Sequence, residues 1–266
     1  MSKPRIIGFL VLLSIIGVSI SSAISIDGAV FRADVAPGQH VTHVITLGKS
    51  DIPLNFTVKV MGFGQTLEGD NAQLEDNLDV SPYTARPFLR VNVSNFQLDP
   101  GQSQKILLEG DIPANVGSGG RYALVVFRSI PNSNKTIKVI TGVDIPILLT
   151  IAGPEQINKG EITDLKVEEP VSAQQQNVSM TFKNTGNYHY RAQANASLMD
   201  KNGNILGNFS SPVSTGSIIP TTSRLFEIKV NPSSPLKPGT YNVKASVNFE
   251  DGAILATKET SFEIKS

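Results

Sequence analysis

The 266-residue sequence has no cysteine and no tryptophan. Without cysteine there is no disulfide, no thiolate nucleophile, no cysteine-held iron–sulfur cluster and no lipidated cysteine. Export is not excluded, because a chain of this size can be stable on core burial alone. Charged residues are scarce, at 17%, and 23 Lys and Arg offset 23 Asp and Glu. No basic field exists to neutralise phosphates, so nucleic acid is not an expected partner. An anionic membrane surface is equally unsupported. With no tryptophan and five tyrosines, flat aromatic platforms for sugars are few. No Gly-x-Ser-x-Gly elbow, phosphate-cradling loop or His-Glu-x-x-His motif occurs. The expectation is a protein without catalytic residues and without a cofactor.

What is present first is a leader. Lys3 and Arg5 precede an apolar stretch from Ile6 to Ile20, and Ser21-Ser22-Ala23 ends it in small residues. This is the secretory pattern, and the stretch is short for a bilayer span of about 20 residues. Residues 1–23 read as a signal peptide, the alternative being an uncleaved anchor. Either way the remainder is expected outside the membrane, at the cell surface or released. Without the leader, 21 basic residues face 23 acidic ones.

Three Pro-Gly pairs, Pro37-Gly38, Pro100-Gly101 and Pro238-Gly239, each precede a strand-like run. Proline pre-sets φ for a turn, and glycine accepts the positive φ that a type II turn needs next. After the third pair, Tyr241, Val243, Ala245, Val247 and Phe249 alternate with Asn242, Lys244, Ser246 and Asn248. Period two marks a strand with one dry face. Seven such runs fill each half: 26–32, 41–47, 54–63, 88–93, 105–109, 121–128 and 136–151, then 162–167, 178–183, 188–199, 204–209, 225–230, 241–249 and 254–264. Tyr122–Phe127 is apolar throughout, as in a central strand buried on both faces. The spacing predicts an all-β chain of two tandem immunoglobulin-like β-sandwiches. The expected division is 24–153 and 154–266, with a boundary at Gly153-Pro154.

Residues 64–87 form an acidic insert in the first sandwich, holding Glu68, Asp70, Glu75, Asp76 and Asp79. It reads as a solvated or interacting loop, with calcium as the sharper alternative. Asp200, Asn202 and Asn204 imitate half of a calcium loop, but Gly203 and Ser211 break its spacing, so a hairpin turn is expected. His40 and His43 lack a third ligand, so no metal site is assigned. Alternation puts His189 on a wet face with Arg191.

Asn-x-Ser/Thr occurs at Asn55, Asn92, Asn134, Asn177, Asn195 and Asn208. Each is a candidate N-glycan acceptor, given a host with the machinery. The plainer reading is that asparagine sits on polar faces anyway.

Residues 28–153 resemble the first domain of periplasmic pilus-assembly chaperones. The likeness rests on Ala29-Val30-Phe31, on the run Leu98-Asp99-Pro100-Gly101-Gln102-Ser103-Gln104-Lys105-Ile106, on Arg121-Tyr122 leading to Ile130-Pro131, and on Ile145-Pro146-Ile147 ahead of Gly153-Pro154. The resemblance implies a strand of alternating apolar residues that completes a partner's sheet. Val143, Ile145, Ile147, Leu149 and Ile151 would be that strand. The chain departs from the family where it lacks Lys or Arg from Val139 to Asn158 and from Ile24 to Phe31. The implied basic anchor for a client's terminal carboxylate is therefore missing, and Pro146 removes a ladder donor. The two-sandwich layout behind a leader also resembles WxL-interacting surface proteins, which implies attachment to cell-wall and host proteins.

The functional expectation is a non-catalytic envelope module that binds protein partners through sheet edges and loops. The alternative is an assembly chaperone that donates a strand.

Overall fold

Two of the three Pro-Gly pairs close the turns expected of them. Gly38 and Gly101 take φ of +79° and +75°, and Gln39 and Gln102 donate back to Ala36 and Asp99 at 3.1 Å. Gly239 instead opens a strand. In the computed structural model, residues 24–130, 142–153, 156–214 and 216–265 are described. The leader, Asn134, the start of the expected 136–151 strand and the Gly153-Pro154 boundary fall wholly or partly outside them.

In chain order the strands are β1 Ile26–Asp27, β2 Phe31–Val35, β3 His40–Leu47, β4 Leu54–Gln65, β5 Asn71–Leu74, β6 Leu89–Val91, β7 Asn95–Leu98, β8 Gln104–Asp111, β9 Gly119–Ile130 and β10 Gly142–Ile151. They continue with β11 Gly160–Val167, β12 Gln176–Asn184, β13 Ala192–Asp200, β14 Ile205–Ser210, β15 Ser223–Val230, β16 Gly239–Phe249 and β17 Ile254–Ile264. No α-helix occurs among the described residues.

The fold is all-β and immunoglobulin-like. Strands β1 to β10 ladder only with one another, as sheets β1-β3-β8-β6 and β2-β10-β9-β4-β5, with β7 also on β4. Strands β11 to β17 form sheets β11-β12-β15 and β14-β13-β16-β17. The expected first strand, 26–32, breaks at Gly28 (φ +74°). The chain there crosses from one sheet to the other. Strands β5 and β7 were not legible, since each spans only four residues and offers too short an alternation to stand out.

Each pair of sheets encloses its own core. Ile45, Ile106, Val125 and Ile147 centre the first. Met180, Phe182, Leu198, Val243 and Ala245 centre the second. Strand β9 lies between β10 and β4. Its Ala123, Val125 and Phe127 enter the first core, and its Tyr122, Leu124 and Val126 are buried on the opposite face.

Candidate functional site

The opposite face of β9 is covered by the second sandwich. Met61, Phe63, Tyr122, Leu124, Val126 and Leu148 from the first half close around Ile219 from the second, with Tyr83 packed beside them. Burying each such side chain stabilises the junction by about 1.5–3 kcal/mol. Polar groups frame this patch. The Gly120 N–H donates to the Asn187 carbonyl at 2.7 Å. The Tyr122 hydroxyl meets His189 Nδ1 at 3.2 Å, with ring centroids 5.7 Å apart and nearly perpendicular. Burial pushes the His189 imidazole down to about 4, Arg32 adds to the shift and Asp34 opposes it. Burial also raises the Tyr122 phenol well above its ordinary value. Both groups are therefore neutral at neutral pH.

Gln65, the last residue of β4, forms the other frame. Its Nε2 donates to the Ser217 carbonyl at 2.9 Å. Its Oε1 accepts from the Ile219 N–H at 3.0 Å and the Thr222 hydroxyl at 3.1 Å. Two residues on, the Leu67 carbonyl accepts the Leu225 N–H at 2.8 Å. The β4–β5 hairpin tip thus lies on the edge of β15.

This corrects the reading of residues 64–87 as one irregular acidic loop. Its first part is the hairpin, which reaches into the second sandwich. Its later part folds around the buried Asp79 carboxylate, which accepts from Thr84 Oγ1 at 2.6 Å and Arg86 Nε at 3.0 Å. Arg86 also pairs with Asp76 at 2.9 Å. Leu78 and Val80 remain exposed on the outside of this fold. No group of three or more His, Asp or Glu suited to a metal occurs among the described residues. His40 pairs with Asp111 at 2.6 Å, while His43 bonds the Gly28 carbonyl and stacks on Phe31, so the two histidines serve separate contacts. Asp200 accepts the Asn202 and Asn204 N–H groups in a hairpin turn. His189, expected on a wet face, precedes β13 and turns into the junction instead.

Strand β10 carries the residues expected to complete a partner's sheet. Ile145, Ile147, Leu149 and Ile151 are buried in the first core, and Val143 packs against it. Ile147–Ile151 ladder with β9 on one side and β2 on the other. Their side chains fill their own sandwich, because a strand between two neighbours spends its apolar row on the core. Among the described residues, Gly142–Pro146 pair with β9 alone. Asp144 in that half is engaged by Arg128 at 2.9 Å and by Gln73 at 2.7 Å.

Of the candidate acceptors, Asn55, Asn92, Asn177 and Asn208 are exposed or half-exposed, and Asn195 is half-buried. Two of them explain each other. Asn195 faces Ser210 and Ser197 faces Asn208 across the β13–β14 ladder. Ser210 donates to Asn195 and Ser197 to Asn208, both at 2.6 Å. Near Asn177 a groove of about 610 Å³ runs past Ser179, Glu227 and Lys229. The Glu168 carboxyl at its rim is held below its usual range by Ser179 and then Lys166, so it stays charged at neutral pH and is no proton donor.

The sequence reading missed Gln65, Ile219 and Arg224. Ile218-Ile219, two large apolar residues in a non-strand segment, was a legible sign of a second buried surface. Arg224 was also visible, as an arginine in phase with Phe226, Ile228 and Val230.

No family model matches the chain, and no curated protein matches it. Solved structures do. They include the class 5 fimbriae chaperone CfaA, 13% identical over 92% of this chain and 100% of that one, with a TM-score of 0.39. The E. coli chaperone DraB is 16% identical over 91% and 98%, with a TM-score of 0.36. A chain of the Salmonella enterica SafA pilin and SafB chaperone complex is 11% identical over 92% and 98%, with a TM-score of 0.36. These three structures contain chaperones, in keeping with the resemblance of residues 28–153, and none of the three is a WxL-interacting protein. The likeness is one of fold.

Proposed function

We propose that this protein is a non-catalytic, exported module of the cell envelope, built of two units (24–153 and 154–266) and binding another protein by strand addition. The observation that carries this reading is the half-open β10. Among the described residues, its Gly142–Pro146 segment is paired on one edge only, while β2 covers Ile147–Ile151. An uncovered strand edge offers unpaired N–H and C=O groups to an incoming strand. Two features favour docking there. The charge of Asp144 is already neutralised by Arg128. Val30, just before β2, is 48% exposed and adds apolar surface next to the point where the edge opens. The apolar junction supports a fixed angle between the two units, so a bound partner would meet one rigid surface.

The second reading is an assembly chaperone working by strand donation, limited to the Gly142–Pro146 half of β10, since Ile147–Ile151 are covered by β2 and spend their apolar row on the first core. The two differ in what happens to the partner. A scaffold keeps it in the envelope fraction, and a chaperone releases it to an assembly.

A photo-reactive side chain at Val30, in protein expressed in its native host, should trap one envelope protein. Val143→Lys should abolish that trapping, with far-UV circular dichroism and gel filtration showing that the variant is still folded. Trapping that survives Val143→Lys, or that occurs from Val80 and not from Val30, refutes the edge as the binding surface.

A further inference from the structure

One side chain of the second sandwich has a chemistry that the junction leaves unused. Arg224 sits on the core-facing row of β15, in register with Phe226, Ile228 and Val230, and is only 7% exposed. Its Nη1 donates to Ser214 Oγ at 2.8 Å. Its Nε and Nη2 are buried and have no hydrogen-bond partner among the described residues. Those two N–H groups point the same way along one edge of the guanidinium. That edge is the fork that receives a carboxylate or phosphate through two parallel hydrogen bonds.

The hairpin tip closes over the fork. Gly69 has φ of +98°, and a β carbon there would lie 2.3 Å from Arg224 Cζ. The glycine therefore lies against the guanidinium, and a side chain at position 69 would have to push the arginine head aside. Burial lowers the Arg224 guanidinium below its ordinary value, and the charge of Asp70, the next residue and exposed, opposes that shift. No described carboxylate forms an ion pair with Arg224. The tip is tied to β15 near this point by the Leu225 N–H on the Leu67 carbonyl, and its residues Thr66 to Glu68 are exposed. Beyond Gln65, the Leu225 to Leu67 bond is the one backbone tie of the tip to β15 among the described residues, so an anion would enter from the exposed side of Thr66 to Glu68.

We propose that the Nε and Nη2 edge of Arg224 is an oxyanion-binding site, taking a carboxylate or phosphate group under the β4–β5 hairpin tip. An anion seated there satisfies both donors and links the tip to β15 through a buried charge pair. Binding is then coupled to the grip of the first sandwich on the second.

The test titrates inorganic phosphate and, separately, acetate into the full-length protein, with chloride matching the ionic strength. The readouts are melting temperature and hydrogen exchange at the Leu225 amide. A saturable rise in melting temperature is expected with at least one anion, together with changed exchange at Leu225. A response to acetate alone assigns a carboxylate ligand, and a response to phosphate assigns a phosphoryl group. Arg224→Lys keeps the charge but loses the fork, and should weaken the response roughly 10- to 100-fold, as expected for one lost charge-assisted hydrogen bond. Asp70→Asn removes a competing negative charge and should strengthen it. An equal response in wild type and Arg224→Lys marks a general salt effect and overturns the site. So does no response in wild type, or an Asp70→Asn protein that is destabilised and indifferent to both anions, since Asp70 itself would then be the occupant. Because Arg224→Lys retains a cation, the outcome does not depend on a variant that fails to fold.

Discussion

The Tyr122 hydroxyl and His189 Nδ1 meet at 3.2 Å across the boundary between the two sandwiches. His189 lies before β13, and Tyr122 belongs to the outer face of β9. The pair joins the halves at a buried place, and burial there needs both side chains uncharged.

That need gives a pH dependence. The folded imidazole is lowered to about 4, against an ordinary value near 6.5. Between these values the unfolded chain binds a proton that the folded one refuses, so stability falls as pH drops through this window. The loss from His189 reaches at most about 3 kcal/mol by pH 4 and then levels off. Melting curves from pH 7.5 to 4 should show it, and His189→Gln should flatten the slope. Equal slopes in both proteins would remove His189 as the cause.

Ile219 is the second half's contribution to the apolar junction. Ile219→Asp places a carboxylate among Phe63, Leu124 and Leu148. A cost of roughly 2–5 kcal/mol is expected, from the cavity and the stranded charge together. Scanning calorimetry should resolve two transitions where the wild type gives one. A single transition at the wild-type temperature would mean that the patch contributes little.

Gln65 holds three groups of the second sandwich at once. Gln65→Leu leaves the Ile219 N–H and Ser217 carbonyl without that partner. The loss should be about 1–3 kcal/mol for each group that water cannot reach. Because Gln65 and Ile219 share one junction, the double variant with Ile219→Asp should cost less than the two single losses combined. Additive losses would show that they act separately.

Asn195 is half-buried in the middle of its sheet and bonded to Asn248 as well as to Ser210. Asn208 lies on the edge strand β14 and is exposed. In a host that adds N-glycans, site-resolved mass spectrometry should find Asn208 occupied ahead of Asn195. A glycan confined to Asn195 would contradict the geometry of this ladder.

The alternation of apolar and polar residues made the strands legible. Val243, Ala245 and Val247 are in phase, and burial follows the phase. Strands β5 and β7 escaped because Asn71–Leu74 and Asn95–Leu98 are only four residues long, too short for their alternation to stand out before pairing with β4 is known. The β10 residues were recognised as a strand, and the fold adds that their apolar row lines the first core. Alternation tells which residues share a face, but not whether that face meets a partner or the strand's own core.

Local chemistry alone therefore determined the all-β character, the turns at Pro37 and Pro100 and the absence of thiol chemistry, because period and turn preference act over a few neighbouring residues. Tertiary structure decided that Gln65 reaches Ser217, that Ile219 covers Leu124 and that Arg224 lies beneath Gly69. Each of these contacts joins residues far apart in the chain, the first of them separated by 152 positions. Such contacts follow from how two finished sandwiches dock, and docking depends on the summed shape and polarity of surfaces that no short stretch of sequence contains.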